Sequence, residues 1–276
     1  MKKLVSLMVI ETVMAAADVA NAIPQRVVAK DSWYGFDRTV FEFQGREAWI
    51  VEPKTEAEER PWAWIMEWPE AFAKRTGSVA LLNAGYHVVT LRPGDYENGK
   101  FVSKPGNMND ARLRESRAFQ KWLVDDLCFA PKANLIGMSW GGFYSVRYAG
   151  TYPDAVARIY LDAPLLDFST LVGKEREFWD LNTKYGIDVA TYVGKVDPRQ
   201  PVNMYEPISK AGITILLLYG GSDATVPPSE NCLRFAEAFK TAGGKIEIVP
   251  RESYGHHPHG LEIDEQQKFV DFFSGK

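Results

Sequence analysis

The residues Asn134-Leu135-Ile136-Gly137-Met138-Ser139-Trp140-Gly141-Gly142-Phe143 constrain this chain more than any other stretch. A short apolar run ends abruptly in Gly-x-Ser-x-Gly, and a helix-compatible segment follows. Strand, tight turn and helix in that order hold the serine in strained backbone geometry and present its hydroxyl at the end of a sheet. Gly137 and Gly141 fall where a Cβ would crowd the turn. The pentapeptide alone is common, so its weight comes from context. Here an apolar strand precedes Ser139, and an acid and a histidine follow it in the chain.

Apolar runs predict strands at residues 61–66, 87–91, from Ala133 to the turn, 156–161, 213–219 and 246–249. The run at 61–66 is too apolar for an exposed edge, and 213–219 reads as a central parallel strand. Ahead of them, 39–43 and 47–51 flank Gln44-Gly45-Arg46 and predict a β-hairpin. A helix is predicted over 69–83, with Pro69 and Glu70 in its first turn and Gly85 beyond its end. Residues 95–108 read as a long polar loop. Asn109 or Asp110 caps the next helix, whose apolar positions include Leu113, Phe119, Trp122 and Leu123. The helix after Ser139 stops at Pro153. Cys232, Phe235, Ala236 and Phe239 recur at helical spacing before Gly243-Gly244, and Phe269, Phe272 and Phe273 give a C-terminal helix its apolar face. Between the strands predicted at 156–161 and 213–219, residues 165–212 are irregular and rich in Trp, Tyr, Asp and Pro. They predict a lid-like insertion, the kind of segment that carries function.

This alternation predicts an α/β fold, a mostly parallel, doubly wound sheet with an N-terminal antiparallel hairpin. One domain over residues 33–276 is expected, preceded by an N-terminal segment, 1–32. Ligands of such sheets bind beyond the carboxyl ends of the strands. Ser139, Asp223 and His256 each follow a predicted strand, so all three are expected at that edge.

Composition narrows the partners. A formal net charge of −4 argues against nucleic acid as the main partner. No stretch beyond the N-terminus is long and apolar enough to span a bilayer. Cys128 and Cys232 lie among apolar residues on predicted helices and read as buried thiols, outside any metal-ligand spacing. At the N-terminus, Lys2 and Lys3 precede an apolar run from Leu4 to Ile10, and Ala20-Asn21-Ala22 offers a cleavage site. That is the layout of a signal peptide over residues 1–22 and implies export, to the periplasm or beyond. Glu11 and Asp18 run against it, because a charge in the apolar core is costly to insert. An amphipathic helix packed on the domain is the alternative.

A serine hydroxyl needs a base to take its proton during attack. Three of the four histidines lie in Tyr254-Gly255-His256-His257-Pro258-His259-Gly260. His256, next to Gly255 on a loop beyond the last strand, is the expected base. His257 is second choice, and His259 is expected to be structural or substrate-facing. A metal site is disfavoured: Pro258 prevents regular helical spacing, and zinc sites normally recruit a further His, Cys or carboxylate. The acid that orients the imidazole is expected at Asp223, in the Gly-rich loop after the 213–219 strand, with Asp162 and Asp167 as alternatives. The oxyanion of a tetrahedral intermediate needs two N–H donors. The backbone of Trp140 and the loop after Met66, at Glu67 or Trp68, are the expected sources. Glu67, His257 and Asp95 are expected to face substrate.

Together these residues make the chain resemble serine hydrolases of the α/β-hydrolase superfamily, over about residues 33–274. Ser139, Asp223 and His256 match that family's nucleophile, acid and base positions. Pro61-Trp62-Ala63-Trp64, Ala71-Phe72 and Gly255-His256-His257-Pro258-His259-Gly260-Leu261 resemble more narrowly a bacterial branch of prolyl-oligopeptidase-type or acetylxylan-esterase-type hydrolases. The chain departs from that branch at Ile65, where an arginine often follows the second tryptophan, so no inherited anion contact is assigned there. The resemblance implies an esterase working through an acyl-enzyme without metal or organic cofactor, on a small-molecule or carbohydrate ester. A serine peptidase is the nearest alternative, and a non-catalytic binding protein on the same scaffold is the rival from another class.

Overall fold

The computed structural model describes residues 26–92, 94–98, 100–103, 110–167 and 199–276. The signal-peptide segment and residues 168–198 of the expected insertion lie outside them. No helix among the described residues is long and apolar enough to cross a membrane.

A nine-stranded sheet organises the described chain. Its first three strands, β1 (Val27–Trp33), β2 (Phe36–Phe43) and β3 (Arg46–Val51), form an antiparallel meander. The sheet therefore starts one strand earlier than the hairpin read from sequence, inside the expected N-terminal segment. β1 was not legible because six of its seven residues are exposed and carry no apolar alternation. Then come β4 (Trp62–Ile65), β5 (His87–Leu91), β8 (Ala133–Met138), β9 (Val156–Asp162), β10 (Thr214–Gly220) and β11 (Ile246–Arg251). The spatial order is β1-β2-β3-β5-β4-β8-β9-β10-β11, and β5 through β11 in that order are parallel. The chain leaves β4 for β5 on one side and returns to β8 on the other. That reversal opens a crevice at the carboxyl ends of β4 and β8, the place where such sheets bind ligands.

Alternation along the strands splits the core in two. Phe41, Trp62, Trp64, Leu135 and Leu217 face one layer, which holds helices α2 (Asp110–Asp125), α3 (Trp140–Thr151) and α5 (Cys232–Thr241). Val40, Ala63, Ile136, Leu216 and Leu218 face the other, under α1 (Ser78–Asn83) and α6 (Gln267–Ser274). Trp62 and Trp64 are fully buried; their rings lie 5.8 Å apart, and Trp62 Nε1 donates to Ala130 O at 2.8 Å. A buried indole with its N–H satisfied contributes about 2–3 kcal/mol of apolar burial.

Three expectations are corrected. The helix predicted over 69–83 is only Ser78–Asn83. Trp68 and Phe72 adopt φ of 56° and 54°, and Gly77 one of 81°, so 69–77 runs as turns. A Cβ at Gly77 would lie 2.5 Å from the Phe269 ring, so its glycine also admits α6. The polar loop at 95–108 contains an antiparallel strand pair, β6 (Gly94–Glu97) with β7 (Lys100–Ser103), in which Glu97 faces Lys100. Cys128 is exposed at a φ of 55° just past α2, whereas Cys232 is buried; both are free thiols. Within the expected insertion, α4 (Tyr205–Lys210) is a short helix packed between α3 and α5.

Candidate active site

Ser139 ends β8 and begins α3 at φ 49°, ψ −116°, a conformation that ordinary residues avoid. Surrounding contacts hold it there. Ser139 N donates to Asp162 O at 2.9 Å, while its carbonyl accepts from Gly142 N and Leu165 N, both at 3.0 Å. The glycines allow the close approach. A Cβ at Gly137 would meet Ser145 Oγ at 2.5 Å, and one at Gly142 would meet Pro164 Cβ at 2.2 Å.

His256 and Asp223 reach this serine from the last two strands of the sheet order, β11 and β10. Asp223 follows β10, and His256 lies beyond β11. His256 Nε2 stands 3.1 Å from Ser139 Oγ, and Nδ1 lies 2.7 Å from Asp223 Oδ2. The other Asp223 oxygen accepts from the amides of Thr225 and Val226, both at 2.9 Å. Burial works to raise the Asp223 pKa, but the His256 hydrogen bond and the Val226 and Thr225 amides outweigh it. The carboxyl is held below its ordinary value.

The alternative acids sit elsewhere. Asp167 pairs with Arg234 at 2.7 Å. Asp162, fully buried, accepts from Tyr160 Oη at 2.6 Å, Arg251 Nη2 at 2.8 Å and Gly260 N at 2.5 Å, and lies 3.1 Å from His259 Nδ1. Burial works to raise its pKa, and His259, Arg251 and Tyr160 together lower it. Arg251 also donates to Pro258 O and Gly260 O, at 3.0 and 2.6 Å. Asp162 and Arg251 thus tie down the loop that carries His256. Arg251 was not singled out from sequence; its position as the last residue of β11, just ahead of the histidine loop, is the signal that was there.

His257 is exposed and stacked on Phe72, ring centroids 5.7 Å apart and planes 18° apart. His259 is buried. Trp140 is buried against Phe143, with centroids 5.8 Å apart. Trp68 is 37% exposed. Asp95 lies in β6, and its side chain is outside the described part of the structure.

Glu67 lies two residues past the end of β4, at the crevice, and is only 3% exposed. A Cβ at Gly141 would stand 3.3 Å from Glu67 N, so the 66–68 backbone and the turn after Ser139 are in contact. Oε2 of Glu67 has no hydrogen-bond partner among the described residues. Burial drives its pKa up to about 8, against the smaller opposing pulls of the Trp68 amide, Arg92 and Arg46. The side chain is therefore an uncharged acid at neutral pH. Sequence marks the position through the strand before it; the protonation state depends on packing that brings α3 and Arg46 over it.

Two surface clefts of about 610 and 630 Å³ lie away from these residues, one beside Arg158 and Phe272 and one between α4 and α5. Neither includes Ser139, Asp223 or His256, so the crevice at β4 and β8 is the chemically equipped place.

The profile of a family described as "alpha/beta hydrolase fold" matches residues 79–199. Acylamino-acid-releasing enzyme 2 of Oryza sativa subsp. japonica is 25% identical over 189 residues, which span 65% of this chain and 24% of that protein. The chain spans about a quarter of the length of the curated relatives it matches by this name. Among solved structures, Pyrococcus horikoshii acylaminoacyl peptidase is similar with a TM-score of 0.65 at 14% identity, covering 87% of this chain and 41% of that one. The S-formylglutathione hydrolase from Agrobacterium tumefaciens is similar at 0.63 and 15% identity, covering 91% of this chain and 97% of that one.

Proposed function

This chain has the α/β-hydrolase fold, and on that footing we propose that it is a serine hydrolase cleaving carboxylic esters through an acyl-enzyme. The observation that carries the proposal is the line from Ser139 Oγ through His256 to Asp223, with gaps of 3.1 and 2.7 Å. His256 Nε2 takes the hydroxyl proton as Ser139 attacks the ester carbonyl, and Asp223 stabilises the imidazolium that forms. The Trp140 amide and an amide of the Glu67–Trp68 loop receive the oxyanion. His256 then gives its proton to the leaving alcohol. In the second half it draws a proton from water, and hydroxide addition releases the acid. A small acyl group on a carbohydrate alcohol is the substrate class implied by the branch resemblance of the tryptophan-rich strand and the histidine loop.

A peptidase reading has one observation in its favour, the likeness to acylamino-acid-releasing enzymes. It uses the same residues, with His256 protonating an amine instead of an alcohol. Both readings are tested together. Wild type and Ser139→Ala are compared on p-nitrophenyl acetate, butyrate and octanoate and on an N-acetyl-aminoacyl p-nitroanilide. Turnover of the short esters that falls by at least about 10⁴-fold in the variant supports the ester reading. Faster cleavage of the anilide moves the assignment to the peptidase. Equal rates in wild type and variant overturn Ser139. With no turnover at all, labelling by a fluorophosphonate probe separates a selective hydrolase from a non-catalytic binding protein.

A further inference from the structure

The histidine loop holds more imidazole than a proton relay uses. The ring centroids of His256, His257 and His259 form a near-equilateral triangle, with sides of 4.9, 5.0 and 5.0 Å. One ring nitrogen from each lies within 4.8 Å of the other two. Three imidazoles bound to one tetrahedral ion at about 2.0–2.1 Å place their ring centres about 5 Å apart, close to the triangle observed. Binding an ion requires the nitrogens to close to about 3.3 Å of one another, a movement that falls first to His257, the exposed member of the three, which would turn from its stack on Phe72.

A second observation concerns the far side of the rings. His256 and His259 each present Nδ1 to a buried carboxylate, Asp223 at 2.7 Å and Asp162 at 3.1 Å. Metal-binding histidines almost always hand their second nitrogen to such a partner, which fixes the tautomer and leaves Nε2 as the ligand. On two of the three rings Nδ1 is therefore already engaged by a carboxylate, which leaves Nε2 as the candidate donor. A catalytic base accounts for the carboxylate on His256, while the one on His259 anchors the loop and at the same time fixes that ring's tautomer. The donor set is three neutral nitrogens with no thiolate and no ring of oxygens, which suits Zn²⁺, Cu²⁺ or Ni²⁺ and not Mg²⁺ or Ca²⁺.

We propose that His256, His257 and His259 bind one transition-metal ion of the Zn²⁺ class, and that the bound ion silences Ser139 by occupying the Nε2 lone pair of His256. The ion is an inhibitor and not a cofactor: the lone pair it takes is the one that receives the serine proton. Release of the ion restores the base without any covalent change. The silencing half rests on His256 acting as base; the binding half does not.

The test keeps the two halves apart. Zn²⁺ binding to the full chain, stripped beforehand with a chelator, is read by equilibrium dialysis near neutral pH for wild type, Ser139→Ala and His257→Gln. His257 is exposed, so its replacement leaves the buried Asp162 cluster intact. One ion per chain is expected in the first two, and affinity lower by at least about tenfold in the third, as for the loss of one ligand or ligand partner. Co²⁺ substituted into wild type should give the intense visible absorption of a four-coordinate centre, absent from His257→Gln. Fluorophosphonate labelling is then timed with and without Zn²⁺, each protein scored as its own ratio. The ratio should fall in wild type, return with chelator, and fall less in His257→Gln at the same ion concentration. No binding at millimolar Zn²⁺, or equal affinity in wild type and His257→Gln, overturns the site. Binding that leaves wild-type labelling untouched overturns the placement on His256. A protein that never labels, yet binds as expected, refutes the hydrolase reading and leaves the metal site standing.

Discussion

Glu67→Gln isolates the cost of one buried carboxyl beside the serine turn. Glu67 goes from an ordinary carboxyl pKa of 4.5 to about 8 on folding, chiefly through burial. Its folded value is raised, so its contribution is most favourable below the unfolded value and is lost as the pH climbs toward the folded one. Each pKa unit is worth about 1.4 kcal/mol. Relative to a side chain that cannot ionise, wild type therefore loses about 1 kcal/mol at pH 5, about 3 at pH 7 and about 4–5 at pH 9. Because the group is almost wholly buried, solvent screening takes little off these figures. Glutamine keeps the shape and stays neutral throughout, so its own packing cost is a constant offset with pH. Urea unfolding of both proteins at pH 5, 7 and 9 reads the difference directly. The variant should gain on wild type by several kcal/mol between the first and last, most of it below pH 8. A difference that stays flat with pH would show that Glu67 ionises at an ordinary value, and that water or a counter-charge reaches it in the folded state.

Other substitutions probe the proposed chemistry and the serine turn. Asp223→Asn preserves an acceptor for the Thr225 and Val226 amides but removes the charge facing His256. Its kcat on a short p-nitrophenyl ester should drop by about 10⁴-fold, with the unfolding midpoint little changed. In Gly142→Ala the new methyl would lie 2.2 Å from Pro164 Cβ. Relief by shifting Pro164 drags Leu165, whose amide holds the Ser139 carbonyl. A stability loss of about 1–3 kcal/mol should appear in calorimetry together with slower fluorophosphonate labelling. An unchanged labelling rate would mean that the turn absorbs the methyl without moving the serine.

Much of this architecture could be read from the chain because its strong signals are local. β8, β9 and β10 announce themselves as apolar runs, and the glycines around Ser139 are demanded by a turn that no other residue fits. That Asp223 and His256 would meet Ser139 at one sheet edge was legible through chain order and through their places after strands. What escaped reading depends on partners distant in sequence or on the sign of φ. Nothing in Trp68 or Phe72 as residue types foretells φ near 55°, so the helix over 69–83 was read too long. Asp162 was visible as an acid, but its role as the common acceptor for Tyr160, Arg251 and Gly260 needs a fold that joins residues up to 98 positions apart. Cys128 sits in an apolar neighbourhood along the chain and points outward, because the backbone turns at that residue.

Ser139 hangs from the middle of the sheet, braced on both sides by β4 and β9, whereas His256 follows β11, which among the described residues pairs with β10 and ends the strand order. Central strands open only when the whole domain does, while a terminal strand can peel away at lower cost. The two halves of the relay therefore tolerate heat differently. If β11 loosens ahead of the central strands, warming is expected to displace the imidazole while the elbow keeps its serine. Loss of the proposed activity under mild stress would in this sense be a fuse, reset when β11 docks again, with the outermost ladder of hydrogen bonds setting the temperature at which it trips.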